Sequence, residues 1–557
     1  MKKNDRFRLD IWGITTLLLL AFYLIFMVYP FGNVIKMAFY DNQNEGFTLS
    51  NFVKFFSKPY YSSTLVNSFK VSFWATVTSL LVGIPLAYFF AMYHLRGKRL
   101  LHLLVIISSM SAPFVSAYSW ILLLGRNGTI TKFVRMLLPI TLPDIYGFNG
   151  MLLVFTTQLY SLVFLYVLGA LMKVDNSLLE ASENMGCSGV KRFFKVIMPL
   201  IMPTNLAAAL LVFIRALSDF GTPMLMGEGY RTFPVILYNE FVGEVSQNKG
   251  FSSAIAVIAI MITAIVFIVQ SIATKKTSVS MSALHPIEPK NIHGLKSLLI
   301  HLFSYNVVGI SILPQIYVIY CSFRKTSGTI YVDSYSLDSY REMFGRLGRS
   351  VQNTIIIPGV AIAITVLMAV LMAYLSVRRS NPLSKTVDTL SIVPYIIPGT
   401  VVGIAMVTSF NHKPLLLTNT MIIMIISLII RRIPYTVRSS VAILHQISIT
   451  IEEAAISLGS NKVNTFFKIT LPMMSSGVIA GAILSWVTMI SEMSTAMILY
   501  TGKTQTLTVA IYGQIIRGNY GIASAMASLL TVLTILSLVV FSRLLPKIGR
   551  ASCRERV

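Results

Sequence analysis

Long apolar runs separated by short polar segments recur along the whole chain. Each run is long enough to cross a bilayer core of about 30 Å, which takes about 20 helical residues. Backbone N–H and C=O groups must be satisfied internally in hydrocarbon, so these runs are predicted to be helices. We predict twelve spans, near residues 11–31, 65–93, 100–124, 150–172, 204–223, 251–274, 295–321, 353–377, 386–410, 415–437, 475–499 and 521–545. The pattern indicates an all-α integral membrane protein.

Composition agrees with this class and argues against a nucleic-acid partner. Of the 557 residues, 55% are hydrophobic and 12% are charged, and the formal net charge is +25. The basic residues flank the predicted spans, where they would face lipid headgroups, and form no basic stripe on a soluble domain. Cysteines and histidines lie at unrelated spacings, so we predict neither a disulfide framework nor a metal site.

The charge distribution predicts an orientation. Four basic residues in 1–10 precede the first apolar run, which is too long for a signal-peptide core and lacks a small-x-small cleavage site. We therefore expect a retained first helix and a cytoplasmic N-terminus. Lys and Arg are then more frequent in the segments placed inside, with clusters at 96–99, 275–276 and 378–379.

The chain is predicted to be a tandem repeat. Asn67 begins a helix that reaches Tyr88, and Asn353, 286 residues later, begins one that reaches Tyr374. Six spans per half is an even number, so both halves enter the membrane in the same orientation, as parallel repeats about an axis along the membrane normal. The first half has extra residues around 126–149, where the second half has only 411–419.

The composition between the halves marks their boundaries. We place the first half at 1–274, a cytoplasmic linker at 275–296 and the second half at 297–547. The remaining residues, 548–557, form a tail. From Gly549 onwards the tail reads like the translation of a sequencing adapter, so we expect it to be non-native and assign it no function.

One polar segment occurs in both halves, 273 residues apart. The first copy, at 176–203, and the second, at 448–474, each have an acidic helical stretch, then a glycine, then a proline. The glycine permits a tight turn that a side chain would disfavour. The proline is expected to break the helix before the next span. We predict a short helix across the cytoplasmic membrane face in each half, its apolar contact provided by Phe193-Phe194 and Phe466-Phe467.

These paired segments resemble the EAA loops of ABC-importer permeases. The second copy matches the family pattern E-A-A-x3-G-x9-I-x-L-P at every fixed position, and the first departs from it at Ser182, Val196 and Met198. The resemblance implies the type I importer permease fold, a bacterial inner membrane, and two copies of a separate ATPase subunit that hold ATP and Mg²⁺. The residues that it marks for coupling to the ATPase are Glu180, Ala181, Gly186, Pro199, Glu453, Ala454, Ala455, Gly459 and Pro472.

The chain itself is expected neither to hydrolyse ATP nor to bind a cofactor. Gly502-Lys503-Thr504 resembles the end of a P-loop, which needs a further glycine five residues before Gly502 so that backbone amides can wrap a phosphate. Met497 occupies that position. The fragment is therefore a chance match, and a separate subunit must supply the energy.

Ionisable residues inside spans are candidates for the translocation pathway, because a membrane makes them costly. Asp219 and Glu492 lie 273 residues apart, at equivalent places in the two halves. Arg215 lies one helical turn before Asp219, close enough for an intrahelical pair. We predict that these three residues line the pathway. The alternative is that the acids satisfy local backbone groups or pair with Arg215.

The fused halves and the run from Ser218 to Pro223 resemble the ferric-iron permeases among ABC importers. That implies ferric iron delivered by an extracytoplasmic binding protein, which would dock on the outer loops 224–250 and 500–520. Two carboxylates suit a hard cation, whereas the net basic external segments favour an anion. Thiamine, polyamine, sulfate and phosphonate permeases share this core and remain alternatives. A gradient-driven secondary transporter is the alternative of another class, but it would leave both loops unexplained.

Overall fold

The computed structural model describes residues 10–41, 46–138, 143–243, 249–277, 285 and 287–554. The basic residues before Asp10, positions 278–284 and 286 of the predicted linker, and positions 555–557 of the predicted tail lie outside the described residues.

The described chain is mainly helical, as predicted. The helices of the first half are α1 (Ile11–Tyr23), α2 (Tyr29–Ala38), α3 (Ser50–Ser57), α4 (Pro59–Met92), α5 (Lys98–Met110), α6 (Pro113–Leu124), α7 (Thr129–Leu137), α8 (Phe148–Leu171), α9 (Asn176–Asn184), α10 (Gly189–Arg192), α11 (Met198–Ser218), α12 (Gly221–Met226), α13 (Phe233–Val242) and α14 (Lys249–Thr277). Those of the second half are α15 (Gly294–Ser322), α16 (Asp338–Arg378), α17 (Pro382–Ile396), α18 (Gly399–Ser409), α19 (Met421–Gln446), α20 (Ile449–Ser457), α21 (Lys462–Thr465), α22 (Leu471–Ile490), α23 (Ala496–Leu499), α24 (Leu507–Ile516) and α25 (Tyr520–Arg554). Single π-helical turns join consecutive helices at Leu24–Val28, Phe193–Ile197 and Phe466–Thr470.

Two small antiparallel ladders were not predicted. Strands β1 (Tyr40–Asp41) and β2 (Gly46–Phe47) pair after α2, and β3 (Arg324–Ser327) and β4 (Ile330–Tyr335) pair after α15. Each ladder follows the first helix of its half, so the repeat extends to these turns.

The structure supports fewer clear spans than the twelve predicted. Among the described residues, nine helices are long and apolar enough to cross a membrane, or up to eleven if each of two bent pairs counts as one span. The bent pairs, at Lys98–Leu137 and Pro382–Ser409, fall on the predicted spans 100–124 and 386–410. The predicted span 415–437 falls on α19, which has 26 residues but carries Arg431, Arg432 and Arg438 and is not among the eleven.

The contacts divide the chain into two compact units that differ from the linear halves. The first-half unit consists of Val53–Asn239 and Ile258–Cys321, and the second-half unit consists of Met1–Phe52, Glu240–Val257 and Ser322–Val557. The first helix of each half thus belongs to the unit that holds most of the other half. The boundary placed at 275–296 remains a prediction about the repeats, not about these units.

Within the second-half unit, α16, α19 and α22 pack together, and α1 and α2 pack beside α16, α17 and α18. The ring of Trp12 on α1 lies 4.7 Å from that of Tyr374 on α16, measured between centroids. The side-chain amide of Asn33 on α2 donates a hydrogen bond to the hydroxyl of Ser409 at 3.1 Å. These contacts fix the first helix of the chain against second-half elements.

Within the first-half unit, α4, α8 and α11 pack together, and Ile300 and Val308 of α15 belong to the same buried apolar cluster. The hydroxyl of Tyr305 on α15 donates to the carbonyl of Arg96 at 2.6 Å, and the Arg96 N–H donates to Nε2 of His301 at 3.2 Å. The rings of Phe89 and Phe303 meet edge-on at 5.7 Å. The packing of a first helix against the other half is therefore reciprocal.

Candidate functional site

Each repeated loop folds as a short helix, a glycine turn and a second helix, as predicted. Gly186 lies between α9 and α10 at φ +75°, and Gly459 lies between α20 and α21 at φ +93°. Side chains are disfavoured at positive φ, so glycine suits these turns. Apart from the glycine and its two chain neighbours, no described heavy atom lies within 4 Å of the place that a Cβ would take at either glycine. The requirement for glycine is therefore one of backbone conformation alone.

The same backbone hydrogen bond closes both loop helices. The N–H of Cys187 donates to the carbonyl of Ser182 at 2.8 Å, and the N–H of Ser460 donates to the carbonyl of Ala455 at 3.1 Å. This is the Schellman arrangement, which satisfies carbonyls left without partners at a helix C-terminus. The local sequence thus specifies the same turn twice.

The motif acid of each loop is exposed. Glu180 and Glu453 both lie on the surface, as do Ala181 and Ala454 beside them. The third motif position points inward instead, because Ser182 is 8% exposed and Ala455 is 9% exposed.

The departure of Ser182 from the motif alanine is accommodated locally. Its hydroxyl donates to the carbonyl of Leu179 at 2.7 Å, so the buried oxygen has a partner.

Exposed apolar side chains accompany the acids at matched positions. Met185 is 86% exposed, and Leu458, 273 residues later, is 89% exposed. Phe194 and Phe467 are likewise exposed. Exposed apolar side chains grouped with polar ones are typical of an interaction surface. We name two separate surfaces: the first coupling surface is Glu180, Met185 and Phe194, and the second coupling surface is Glu453, Leu458 and Phe467.

The neighbouring phenylalanines anchor the loops from inside. Phe193 packs edge-on against Tyr88, with centroids 4.9 Å apart, and Phe466 packs edge-on against Tyr374 at 4.7 Å. The ring of Phe466 also meets that of Trp12 at 5.2 Å. Only one phenylalanine of each pair therefore makes the predicted apolar contact. Phe193 is half-buried and Phe466 is buried, whereas Phe194 and Phe467 are exposed.

The prediction that Pro199 and Pro472 break the helix is wrong. One helix runs from Gly189 to Ser218 and another from Lys462 to Ile490, each through its π-helical turn. Each proline lies in the first turn of the α-helical part that follows the π-helical turn. Proline lacks an N–H and its ring clashes with the carbonyl four residues earlier. The wider π-helical turn changes the hydrogen-bond pattern at this point, so the helix continues.

A charged side chain ties the first loop to the predicted linker. One carboxylate oxygen of Glu183 accepts hydrogen bonds from Arg192 at 3.0 Å and from Lys290 at 3.3 Å. The hydrogen bond from Lys290 and the charges of both partners lower the pKa of Glu183. The backbone of Lys290 also joins the end of α4, since its N–H donates to the carbonyl of Met92 at 2.8 Å.

A buried ion pair holds the second loop. Nε of Arg378, at the end of α16, donates to Glu452 at 2.9 Å, and both side chains are 9% exposed. The same guanidinium donates to the carbonyl of Ile447 at 2.6 Å. The corresponding residues of the first half are Met92 and Leu179, which belong to its buried apolar cluster. The two loops thus have the same backbone shape, but the second is held by a buried ion pair where the first has apolar packing.

The predicted pathway acids occupy the same local geometry in the two halves. Asp219 follows α11, and its carboxylate accepts the N–H of Thr222 at 2.9 Å. Glu492 follows α22, and its carboxylate accepts the N–H of Thr495 at 3.0 Å. Both acids therefore cap the turn after a span, which is one of the two predicted alternatives. Arg215 lies in the last turn of α11, and a pathway role for all three residues remains a prediction.

Sequence reasoning missed two arginines beside Glu492. Arg431 and Arg432, on α19, each form an ion pair with a different oxygen of the Glu492 carboxylate. Arg431 also donates to the hydroxyl of Thr495 at 2.8 Å. A Cβ at Gly399 would stand 2.5 Å from the Arg431 guanidinium, so glycine makes room for it. Two ionisable residues inside the predicted span 415–437 were the signal that could have identified the cluster.

The described residues contain no group of three or more His, Cys, Asp or Glu side chains placed to hold a metal ion.

A helical chain with nine to eleven candidate spans and two copies of a loop that carries exposed acidic and apolar residues is a multi-pass membrane transport subunit. The chain belongs to the family of binding-protein-dependent transport system inner membrane components, whose model matches residues 83–279 and 362–550. The double match confirms the internal repeat and the predicted fold class. The protein is therefore the permease subunit of an ABC importer, and the gradient-driven alternative is set aside.

The curated relatives include permeases named for iron. The chain is 27% identical over 551 residues to the ferric transport system permease protein FbpB of Actinobacillus pleuropneumoniae, covering 97% of this chain and 79% of that protein. It is 24% identical over 488 residues to the Fe(3+)-transport system permease protein FbpB 2 of Haemophilus influenzae, covering 87% and 90%. The spermidine/putrescine transport system permease protein PotB of Haemophilus influenzae is 28% identical over 276 residues, 48% of this chain and 93% of PotB.

Proposed function

We propose that the chain carries ferric iron, received from an extracytoplasmic binding protein, into the cytoplasm. The support is the extent of similarity: relatives named for ferric transport match this chain across both halves, whereas the polyamine permease matches about half of it. The fused double permease is thus a feature shared with the iron relatives.

The coupling surfaces support the proposed drive mechanism. Each has an exposed motif acid and an exposed apolar residue before the glycine turn, and an exposed phenylalanine after it, on the helix that continues into a span. An ATPase subunit that binds Phe194 or Phe467 would contact the helix that continues into the span, while Met185 and Leu458 would hold the same subunit from the other side of the glycine turn. Two such surfaces call for two ATPase subunits, which would bind ATP and Mg²⁺ and carry out hydrolysis, while this chain carries out none.

The proposed orientation places both coupling surfaces in the cytoplasm together with the N-terminus. The binding protein would then dock on the opposite side, at segments 224–250 and 500–520, which contain α13 and α24; positions 244–248 lie outside the described residues. Glu228, between α12 and α13 in the first of these segments, is exposed and forms an ion pair with Arg126 at 2.9 Å. Charged groups at the rim of an interface mainly guide association and fix the register of the partner.

The test is uptake into vesicles that contain the chain, its ATPase and an enclosed ATP supply, with the binding protein outside. Radiolabelled ferric iron is compared with thiamine, a polyamine, sulfate and a phosphonate. We expect iron uptake that requires both ATP and the binding protein. Uptake of another substrate in place of iron would retain the importer and reject the iron assignment. Iron uptake without ATP would reject the proposed drive mechanism.

A further inference from the structure

The cluster of Arg431, Arg432 and Glu492 carries more positive than negative charge. The side chains are 12%, 15% and 4% exposed, respectively. Among the described residues, Glu492 is the carboxylate within ion-pair distance of either guanidinium. One carboxylate cannot neutralise two arginines, which remain protonated in proteins. The second-half unit therefore holds an excess positive charge away from water.

The cluster also has unused donors. The Nε atoms of Arg431 and Arg432 are buried and have no hydrogen-bond acceptor among the described residues. A buried donor without a partner is unfavourable. The excess positive charge and the unpaired Nε donors therefore both indicate that the cluster lacks a negatively charged hydrogen-bond acceptor.

A small cavity lined in part by hydroxyl groups lies beside Glu492. The hydroxyls of Thr354, Ser427 and Thr495 contribute to its lining but already donate to backbone carbonyls, so the unused donors of this region are the arginine Nε atoms. The two guanidinium groups match the oxygen atoms of a carboxylate, a carbonate or a phosphate, because guanidinium groups bind such anions in bidentate geometry.

The arrangement is not required by the repeated fold. The residues that correspond to Arg431 and Arg432 in the first half are Gln158 and Leu159, on α8. The side-chain amide of Gln158 donates to the carbonyl of Ser111 at 2.8 Å, and it carries no charge. Since the same helix folds without arginines in one half, their presence in the other half requires a separate reason.

We propose that Arg431 and Arg432 form an oxyanion-binding site and that Glu492 is its internal counter-ion. An arriving oxyanion would take over part of the guanidinium contacts that Glu492 now holds. Combined with the proposed function, on which this step rests, the site implies that ferric iron passes this region accompanied by an oxyanion and not as a bare cation.

The decisive experiment measures binding of ³²P-labelled inorganic phosphate to the full chain in lipid nanodiscs, at ionic strength held constant with chloride. We expect saturable binding. Arg432→Gln removes a charge-assisted donor and should weaken binding by about tenfold or more. Glu492→Gln removes the competing carboxylate and should strengthen binding by a similar factor. Arg346→Gln, which removes an exposed arginine paired with Glu342 at 2.8 Å, is the matched control and should change nothing.

The opposite responses of the two cluster variants separate a binding site from a structural ion pair. If Glu492→Gln weakens phosphate binding or leaves it unchanged, the counter-ion role is wrong. If Arg431→Gln and Arg432→Gln both retain the native affinity, the site itself is wrong. Should Arg432→Gln fail to fold, Arg432→Lys keeps the charge without the bidentate fork and is expected to weaken binding. Carbonate and citrate, added as competitors, identify the preferred oxyanion.

Phosphate binding and iron uptake, measured on the same protein, test the oxyanion site and the iron assignment separately. Phosphate binding without iron uptake in vesicles would retain the site and reject iron as the substrate. Iron uptake by a chain that binds none of the three oxyanions would retain the substrate and reject the site.

Discussion

Tyr374 and Phe466 meet edge-on with their ring centroids 4.7 Å apart, which joins the end of α16 to the second coupling loop. The same relationship occurs in the first half between Tyr88 and Phe193, at 4.9 Å. In each half the tyrosine belongs to a long span and the phenylalanine to the π-helical turn beside an exposed phenylalanine. An aromatic contact therefore links each repeated loop to a long span, and in the second half the ion pair of Arg378 with Glu452 links the same loop to α16.

Replacing Tyr374 by Leu should weaken the coupling of ATP hydrolysis to transport. An aromatic pair of this geometry contributes about 0.5–1.5 kcal/mol beyond its buried area, so we expect uptake per ATP hydrolysed to fall by about two- to tenfold. Tyr374→Phe keeps the ring and should behave like the native chain. The measurement is the ratio of substrate uptake to ATP hydrolysis in vesicles. An unchanged ratio in Tyr374→Leu would show that the contact only supports the fold.

Valine at Gly186 and Gly459 should be harmful, whereas asparagine at the same positions should be tolerated. Both glycines have positive φ and open space around them, so the difference depends on backbone conformation and not on a clash. Left-handed backbone costs about 1–2 kcal/mol for most residues, and asparagine adopts it more readily. We expect the double valine variant to bind its ATPase weakly in a pull-down from detergent, with the asparagine variant close to native. Equal loss in both variants would contradict this account.

The sequence alone predicted features that depend on local pattern. Apolar runs predicted most of the spans, and the motif around Glu180 and Glu453 predicted two exposed loops with helices and glycine turns. Hydropathy and turn chemistry act over a few residues, so they can be read without the fold. The family comparison then confirmed the repeat on which the loop assignment depended.

Features that depend on distant contacts were missed. Trp12 packs against Tyr374, and no local signal shows that the first helix belongs with the second half. Pro199 and Pro472 were read as helix breaks because propensity does not show that a π-helical turn accommodates them. Arg431 and Arg432 were overlooked because their partner, Glu492, lies on a different element.

Aspartate at Met185 and Leu458 should reduce ATPase binding without unfolding the chain. Both side chains are largely exposed, at 86% and 89%, so the free permease loses little when they become polar. Burying such a side chain in an interface contributes about 1.5–3 kcal/mol, and its loss should weaken ATPase affinity by about ten- to a hundredfold per surface.

Ile330→Asp is the matched control for these substitutions, because Ile330, on β4, is 65% exposed but lies outside both repeated loops and outside the predicted spans. Its ATPase affinity, measured by titration of labelled ATPase onto nanodiscs, should equal that of the native chain. An equal loss in the control would point to a general effect of charge, and native affinity in the loop variants would contradict the coupling surfaces.

Acidification should release the predicted linker from the first loop. The pKa of Glu183 in the folded chain is lowered from its ordinary value of 4.5 by the hydrogen bond from Lys290 and by the positive charges nearby. The stabilisation is therefore fully present above the ordinary value and is lost as pH falls through the lowered one. Amide exchange at Lys290, corrected for its intrinsic pH dependence, should accelerate in that acidic window. Glu183→Gln should show no such step, and a step of equal size in this variant would rule out Glu183 as its source.

Breaking the buried ion pair of the second loop should destabilise it strongly, whereas replacing both partners should not. Arg378 and Glu452 are each 9% exposed, so a single change leaves one charge buried without its partner. Such losses are about 3–5 kcal/mol, whereas exchanging a whole buried pair for apolar residues is often neutral or stabilising. Arg378→Met and Glu452→Leu should each lower the unfolding midpoint of the chain in nanodiscs.

The double variant Arg378→Met with Glu452→Leu copies the first half, where Met92 and Leu179 lie in the apolar cluster. It should recover most of the stability lost in either single variant, because the first half shows that the same loop can be held by apolar packing. The guanidinium of Arg378 also donates to the carbonyl of Ile447, so recovery should be incomplete by about one hydrogen bond, or about 0.5–1.5 kcal/mol. A double variant no more stable than the singles would show that the ion pair has a specific role in the second loop that apolar packing cannot replace.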